Sequence, residues 1–104
     1  MTVCRKTKIV ATLGPSTDSL EIIEQLILEG VNVFRMNFSH GTHAEHKTRL
    51  DRIREASEKL NMSVAVLQDL QGPKIRIGDV ENGEVELHNG SVFKISTTEC
   101  AATA

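Results

Sequence analysis

The chain has 104 residues, of which 39% are hydrophobic and 25% are charged, a composition typical of at most one globular domain. Its net charge of -2 provides no positive field for nucleic acid or an anionic membrane, so we expect neither as a partner. Cys4 and Cys100 lie at opposite ends and no stretch nears the roughly 20 apolar residues of a membrane helix, so we predict a cytoplasmic protein with ordinary thiols.

The first half of the chain alternates strand and helix patterns. Residues 8–13 are a β-branched apolar run that ends at a Gly-Pro pair, which predicts a strand buried on both faces. Asp18, with Glu21 three residues later, offers an N-cap for a helix that continues until Gly30 stops it. Residues 31–37 then return to a strand pattern.

A second helix is predicted from a capping box, with Thr42 as the N-cap and Glu45 as its partner, and it ends at Asn61. Residues 64–69 follow as a third buried strand. Strands and helices that alternate at these lengths imply a parallel sheet covered by helices, and therefore an α/β fold.

The pattern changes after residue 72. Residues 75–78, 84–87 and 91–96 are typical of short strands, they are separated by Asn-Gly turns, and no helix pattern intervenes. We therefore predict that a second, antiparallel unit begins here.

Polar residues near the end of the second strand form the best candidate site. Arg35, Asn37 and Ser39 alternate with apolar residues, so at a period of two they project to one side, at the strand end where α/β folds bind ligands. The arginine fork suits phosphate or carboxylate, and the other two side chains suit a hard cation or a polar ligand. The alternative is structural: Arg35 pairs with Asp69, and the hydroxyls cap the second helix.

Charged residues also follow the third strand. Asp69 precedes Lys74 and Arg76, with a rigid Gly-Pro turn between them. A carboxylate near two cations can bind a metal cation or form a salt bridge, and the sequence leaves both open.

Three histidines are spaced by three residues at the start of the second helix: His40, His43 and His46. Only the last two share a helix face, and no cysteine accompanies them. We therefore expect solvated histidines here rather than a metal site.

Three blocks of the sequence resemble the opening of the pyruvate kinase family, in the family's order and spacing: residues 5–16, residues 35–41 (RMNFSHG) and residues 69–76 (DLQGPKIR). The resemblance implies that residues 1–71 are the first three βα units of a TIM (β/α)8 barrel. Residues 72–104 would begin a small antiparallel β-barrel domain inserted after the third strand.

The same resemblance implies an activity. The family transfers a phosphoryl group from phosphoenolpyruvate to ADP, giving pyruvate and ATP in glycolysis. It requires Mg²⁺, is usually aided by K⁺, and forms a cytoplasmic homotetramer.

The resemblance also implies roles for residues at the strand ends. Arg35 would contact the phosphoryl oxygens of the substrate. The K⁺ ligands would be Asn37, Ser39, Asp69 and the main-chain carbonyl of Leu70. The residues that contact nucleotide or transferring phosphate would be Asn37, Phe38, Ser39, His40 and Arg76. The family's catalytic lysine and acidic Mg²⁺ ligands lie on later strands, so we expect no catalytic residue in this segment.

Lys74 departs from the family pattern, because many members have glutamate at this position. A fixed ammonium group beside the cation ligands supplies positive charge and repels a bound K⁺. We hypothesise that this protein belongs to a subgroup in which Lys74 replaces K⁺.

Three strands do not close a barrel that takes roughly 250 residues. We therefore expect an N-terminal portion of such an enzyme, inactive and marginally stable by itself. The alternative from another functional class is a free-standing, non-enzymatic α/β module that binds an anion or associates with itself.

Overall fold

The computed structural model describes residues 5–102, so Cys4, expected to be an ordinary thiol, lies outside the described residues. The chain divides into two compact units, Met1–Gly72 and Pro73–Ala104. No helix between residues 5 and 102 has the length and hydropathy to cross a bilayer.

The described part of the first unit consists of three strands that alternate with two α-helices. In chain order they are β1 (Val10–Thr12), α1 (Leu20–Glu29), β2 (Val33–Asn37), α2 (His43–Leu60) and β3 (Ala65–Asp69). The strand β2 is central and pairs in parallel with both neighbours. The predicted α/β alternation and the parallel sheet are confirmed.

The helix α1 begins one residue later than predicted. Its N-cap is Ser19, whose hydroxyl accepts a hydrogen bond from the amide of Ile22 at 3.3 Å, and the prediction of Asp18 as the cap was wrong. Asp18 Oδ1 instead accepts hydrogen bonds from α2, at 3.3 Å from Arg49 and 3.0 Å from Arg52. The carboxylate thus binds two side chains of α2 from the loop before α1, a long-range contact that the local sequence does not encode.

The helix α2 has the ends that its sequence predicts. The Thr42 hydroxyl accepts from the Glu45 amide at 3.3 Å, and the Glu45 carboxylate accepts from the Thr42 amide at 2.6 Å. Asn61 ends the helix in the left-handed conformation, with φ of 50°. Both ends thus satisfy backbone groups that a helix terminus leaves unpaired.

The capping box predicts a pH-dependent stability. Hydrogen bonds from Thr42 hold the pKa of Glu45 below its ordinary value. A lowered folded-state pKa means that this contribution is present above about pH 4 and is lost as the pH falls further. Glu45→Gln should therefore lower the melting temperature at pH 7 and have a smaller effect at pH 3, in thermal melts of the full-length protein. Glu55→Gln, in the middle of α2, is the control, and an equal effect of both variants at both pH values would contradict the prediction.

The core of the first unit lies on one side of the sheet. Phe34 in β2 is fully buried, with Ile23 and Ile27 from α1 and Ile53 from α2 around it. The opposite side of the sheet is open, and Val10 there is 55% exposed. The prediction of strands buried on both faces was therefore wrong for the described residues, because α1 and α2 cover a single face.

The second unit does not form the strands predicted for it. Between residues 73 and 102 the structure has one short 3-10 helix, Glu81–Gly83, and an isolated parallel bridge between Val80 and Ala102. The turn residues do adopt turn geometry, with φ of 57° at Asn82 and 85° at Gly83. The predicted strand segments, residues 75–78, 84–87 and 91–96, are unpaired and exposed apart from the half-buried Val85, because a short hairpin needs further strands or a covering element.

Candidate functional site

The parallel register brings polar side chains together on the open face of the sheet. Thr12 lies opposite Arg35 in the pairing of β1 with β2. Asn37 lies opposite Asp69 in the pairing of β2 with β3. Since side chains alternate along a strand, Arg35 and Asn37 both point away from the face that contains Phe34. The predicted clustering of polar groups at the strand ends is therefore found in this structure.

Arg35 is held by two neighbouring strands. Its Nε donates to Asp69 Oδ2 at 3.0 Å, and its Nη2 donates to the same oxygen. On the other side, Nη1 donates to the Thr12 hydroxyl at 3.2 Å. These contacts orient the guanidinium, and the side chains of Arg35 and Asp69 remain 33% and 43% exposed.

These contacts use only some of the N–H donors of the Arg35 guanidinium. An arginine has five N–H donors, and within residues 5–102 the three hydrogen bonds of Arg35 use one donor each. Two N–H groups on the terminal nitrogens are left for a ligand. That is the number needed for bidentate binding of a phosphate or carboxylate group.

The segment after β2 turns back towards the end of β3. The Phe38 amide donates to the Asp69 carbonyl at 2.9 Å, which continues the pairing of the two strands. The Ser39 amide donates to Asn37 Oδ1 at 3.1 Å, and the His40 amide donates to the Asn37 carbonyl at 3.2 Å. The segment predicted to bind nucleotide or phosphate therefore begins as a tight turn anchored on the sheet.

Oxygen donors lie at the same end of the sheet. In the part of the chain that the structure describes, Asp69 Oδ1, the Ser39 hydroxyl and the Leu70 carbonyl accept no hydrogen bond. Neutral and anionic oxygens without other partners suit a hard cation. No group of three histidine, cysteine or acidic residues that could hold a metal ion occurs among residues 5–102.

Two of the predicted site residues belong to the other unit. Lys74 and Arg76 lie in Pro73–Ala104, and both are exposed there. The site brought together by the first unit therefore consists of Thr12, Arg35 and Asp69, together with the segment 37–40.

The three histidines have different environments. His40 and His43 are exposed, as expected, but His46 is 4% exposed, so its prediction as a solvated residue was wrong. Its ring stacks on Phe38, with centroids 4.2 Å apart and planes 10° apart. The helical spacing from His46 to the buried Ile53 is seven residues, two turns of a helix, and this signal in the sequence could have revealed its burial.

Known proteins resemble this chain over nearly all of its length. The family model for the barrel domain of pyruvate kinase matches residues 4–104. The chain belongs to the pyruvate kinase family. Over 99 residues it is 50% identical to a pyruvate kinase of Staphylococcus saprophyticus and 48% identical to one of Staphylococcus aureus. The match covers 95% of this chain and 17% of each relative's length.

Solved pyruvate kinases also share its fold. A crystal structure of a Cryptosporidium parvum pyruvate kinase superposes with a TM-score of 0.70 and 42% identity, over 78% of this chain and 17% of the other. A second structure from that organism gives a TM-score of 0.68 at 43% identity. The three-stranded parallel sheet thus corresponds to a part of these larger pyruvate kinases.

Proposed function

We propose that this chain forms part of a pyruvate kinase that transfers a phosphoryl group from phosphoenolpyruvate to ADP, giving pyruvate and ATP in glycolysis. The proposal rests on the orientation of the Arg35 guanidinium and on the N–H donors that it has left. Its guanidinium is oriented by Asp69 and Thr12, and two of its N–H groups are left for an incoming group. The family membership indicates that this group is a phosphoryl group.

The open face of the sheet supports a barrel. We propose that residues 1–71 are the first three βα units of a (β/α)8 barrel, with their open face towards its interior. Such a barrel buries both faces of its strands, which would cover Val10 and the other exposed strand residues. Residues 72–104 would then begin the inserted β domain, and the division of the chain after Gly72 supports a boundary near this point.

Arg35 acts electrostatically in this proposal. Phosphoryl transfer places negative charge on the equatorial oxygens of the transferring group, and the protein contributes mainly orientation and charge stabilisation. An arginine fixed before the substrate arrives does not have to reorganise during the reaction. Asn37, Phe38, Ser39, His40 and Arg76 are proposed to contact the nucleotide or the phosphate.

The oxygen donors of the first unit are candidate ligands for a monovalent cation. We propose that Asn37, Ser39, Asp69 and the Leu70 carbonyl would hold K⁺, since all of them offer oxygen. A bound cation would add positive charge near the phosphoryl group. The family resemblance implies that the acidic Mg²⁺ ligands lie on later strands, so we assign no Mg²⁺ ligand to this chain. Mg²⁺ commonly binds through substrate phosphates and one or two carboxylates.

We propose a cytoplasmic homotetramer as the working form, as the family resemblance implies. The net charge of -2 agrees with a protein whose partners are phosphoenolpyruvate, ADP and copies of itself rather than nucleic acid or a membrane.

The test is pyruvate formation by the full-length protein, with phosphoenolpyruvate, ADP and Mg²⁺. Turnover that requires both substrates is expected. A protein that shows no turnover, but binds phosphate esters and loses that binding in Arg35→Ala, would instead be the non-enzymatic anion-binding module.

Lys74 allows a separate prediction about K⁺. If its ammonium group replaces the cation, activity should be nearly the same when K⁺ is exchanged for a large organic cation. Lys74→Glu should then create a dependence, with K⁺ raising kcat by about tenfold or more, because a carboxylate attracts the cation that an ammonium repels.

The matched control is Lys94→Glu, another exposed lysine of Pro73–Ala104, which should remain independent of K⁺. Loss of nearly all wild-type activity without K⁺ would show that Lys74 does not replace it.

A further inference from the structure

His46 is a buried polar residue on the first turns of α2. Its Nε2 lies 2.8 Å from the carbonyl oxygen of His40. Its Nδ1 is buried and has no hydrogen-bond partner among the described residues. Buried polar atoms in native proteins are nearly always paired, so an unpaired one requires an explanation.

The geometry determines the tautomer of the ring. A carbonyl oxygen can only accept, so Nε2 carries the proton and donates to His40. In the neutral ring Nδ1 is then an acceptor whose lone pair has no partner. An apolar side chain at this position would avoid the buried unpaired atom. The histidine is therefore explained by its hydrogen bond to the turn rather than by packing alone.

Two further contacts bring the turn close to the ring. Phe38 stacks on the imidazole, with centroids 4.2 Å apart. Gly41 has φ of 76°, and a Cβ there would lie 3.2 Å from Glu45 Oε2 and 3.4 Å from His46 Nε2. The Gly41 backbone thus lies beside the Nε2 edge of the ring, in a conformation that favours glycine.

We infer that His46 is a positioning residue that holds the turn at residues 38–41 through the hydrogen bond of its Nε2 to the His40 carbonyl and the stacking of its ring on Phe38. This inference rests on the proposed function, in which residues 37–40 contact nucleotide or phosphate. His46 touches neither ligand. His46 limits the motion of the turn and thereby keeps Ser39 and His40 in the positions from which they would contact ADP.

Three variants separate the hydrogen bond from the stacking. His46→Gln keeps a donor near the position of Nε2. His46→Asn also carries an amide, but its shorter side chain places the donor near Nδ1, out of reach of the His40 carbonyl. His46→Phe keeps an aromatic ring without a donor. His88→Gln, at an exposed histidine of Pro73–Ala104, is the control.

Amide hydrogen exchange of residues 38–41 in the ligand-free, full-length protein tests the contact itself. Exchange is expected to be about tenfold faster in His46→Asn than in His46→Gln, with His88→Gln equal to wild type. Two-bond proton–nitrogen correlation of labelled histidine rings should show that Nε2 of His46 carries a proton. Equal exchange in the Gln and Asn variants, or an Nε2 without a proton, would overturn the inference.

Steady-state kinetics test the consequence for the site. The KM for ADP is expected to rise about tenfold in His46→Asn and His46→Phe, and less than threefold in His46→Gln. The KM for phosphoenolpyruvate should change little. The melting temperature of His46→Phe should equal or exceed that of wild type, since the unpaired Nδ1 is gone. Activity and melting temperature that fall together in all three variants would indicate a role in folding and overturn the inference.

The two proposals fail in different ways. A wild-type protein without pyruvate formation would overturn the proposed function, and the exchange and tautomer measurements would still decide whether His46 holds the turn. A wild-type protein with turnover whose exchange and ADP kinetics do not respond to the loss of the donor would overturn the role of His46 alone.

Discussion

Replacing Arg35 by lysine in the full-length protein should lower kcat/KM for phosphoenolpyruvate by about 10²–10³-fold, the loss typical of removing one preorganised donor from an active site. Lysine keeps the positive charge but has no planar fork. It cannot bind both Asp69 and Thr12 and still present two parallel N–H groups to a phosphoryl group. The substitution thus removes the geometry of the site and leaves its net charge unchanged.

The melting temperature of Arg35→Lys distinguishes a role in substrate binding from the structural alternative, in which Arg35 only pairs with Asp69. The pair is present, but the two side chains are 33% and 43% exposed. Exposed pairs typically contribute less than about 1 kcal/mol, so the melting temperature of Arg35→Lys should remain near that of wild type. A large kinetic loss in a protein of unchanged stability would assign Arg35 to the substrate.

The control is Arg54→Lys, an exposed arginine of α2 that makes no hydrogen bond within the described residues. Initial rates of pyruvate formation at varied phosphoenolpyruvate should give the same kcat/KM for this variant as for wild type. If Arg35→Lys also stayed within about threefold of wild type, Arg35 would have no role in binding the phosphoryl group.

The parts of the fold that sequence predicted well are those determined by neighbours along the chain. The capping box of Thr42 and Glu45, the stop at Gly30 and the left-handed Asn61 all satisfy backbone groups within a few residues. The site was predictable for a similar reason. Arg35 and Asn37 share a face through strand periodicity alone.

The parts that sequence did not predict depend on groups far away in the chain. Asp18 is a good N-cap by local rules, yet its carboxylate forms salt bridges with Arg49 and Arg52 of α2 instead. The turn expected after residue 72 forms at Asn82 and Gly83. The short strands expected on either side of it do not form within the described residues, because they have no partner strands. Whether a strand forms depends on what covers and pairs with it, and local sequence carries little of that information.

A second large effect is expected for the core under the sheet. Ile27→Ala should reduce the free energy of opening of α1 by about 2–5 kcal/mol, because the side chain is fully buried and its removal leaves a cavity against Phe34 and its neighbours. Leu28→Ala, the next residue on the same helix, should change it by about 0.5 kcal/mol or less, since Leu28 is 62% exposed.

Hydrogen exchange of the α1 amides in the full-length protein measures this free energy directly, because it reports the opening of one element rather than the unfolding of a large chain. Ile27→Ala and Leu28→Ala together also test which faces of α1 are buried against other parts of the protein. If the sheet closes into a barrel, Ile27 still faces the strands and the difference between the variants persists. Equal losses in both would mean that Leu28 is buried by another part of the protein, and that α1 is not at the surface of the barrel.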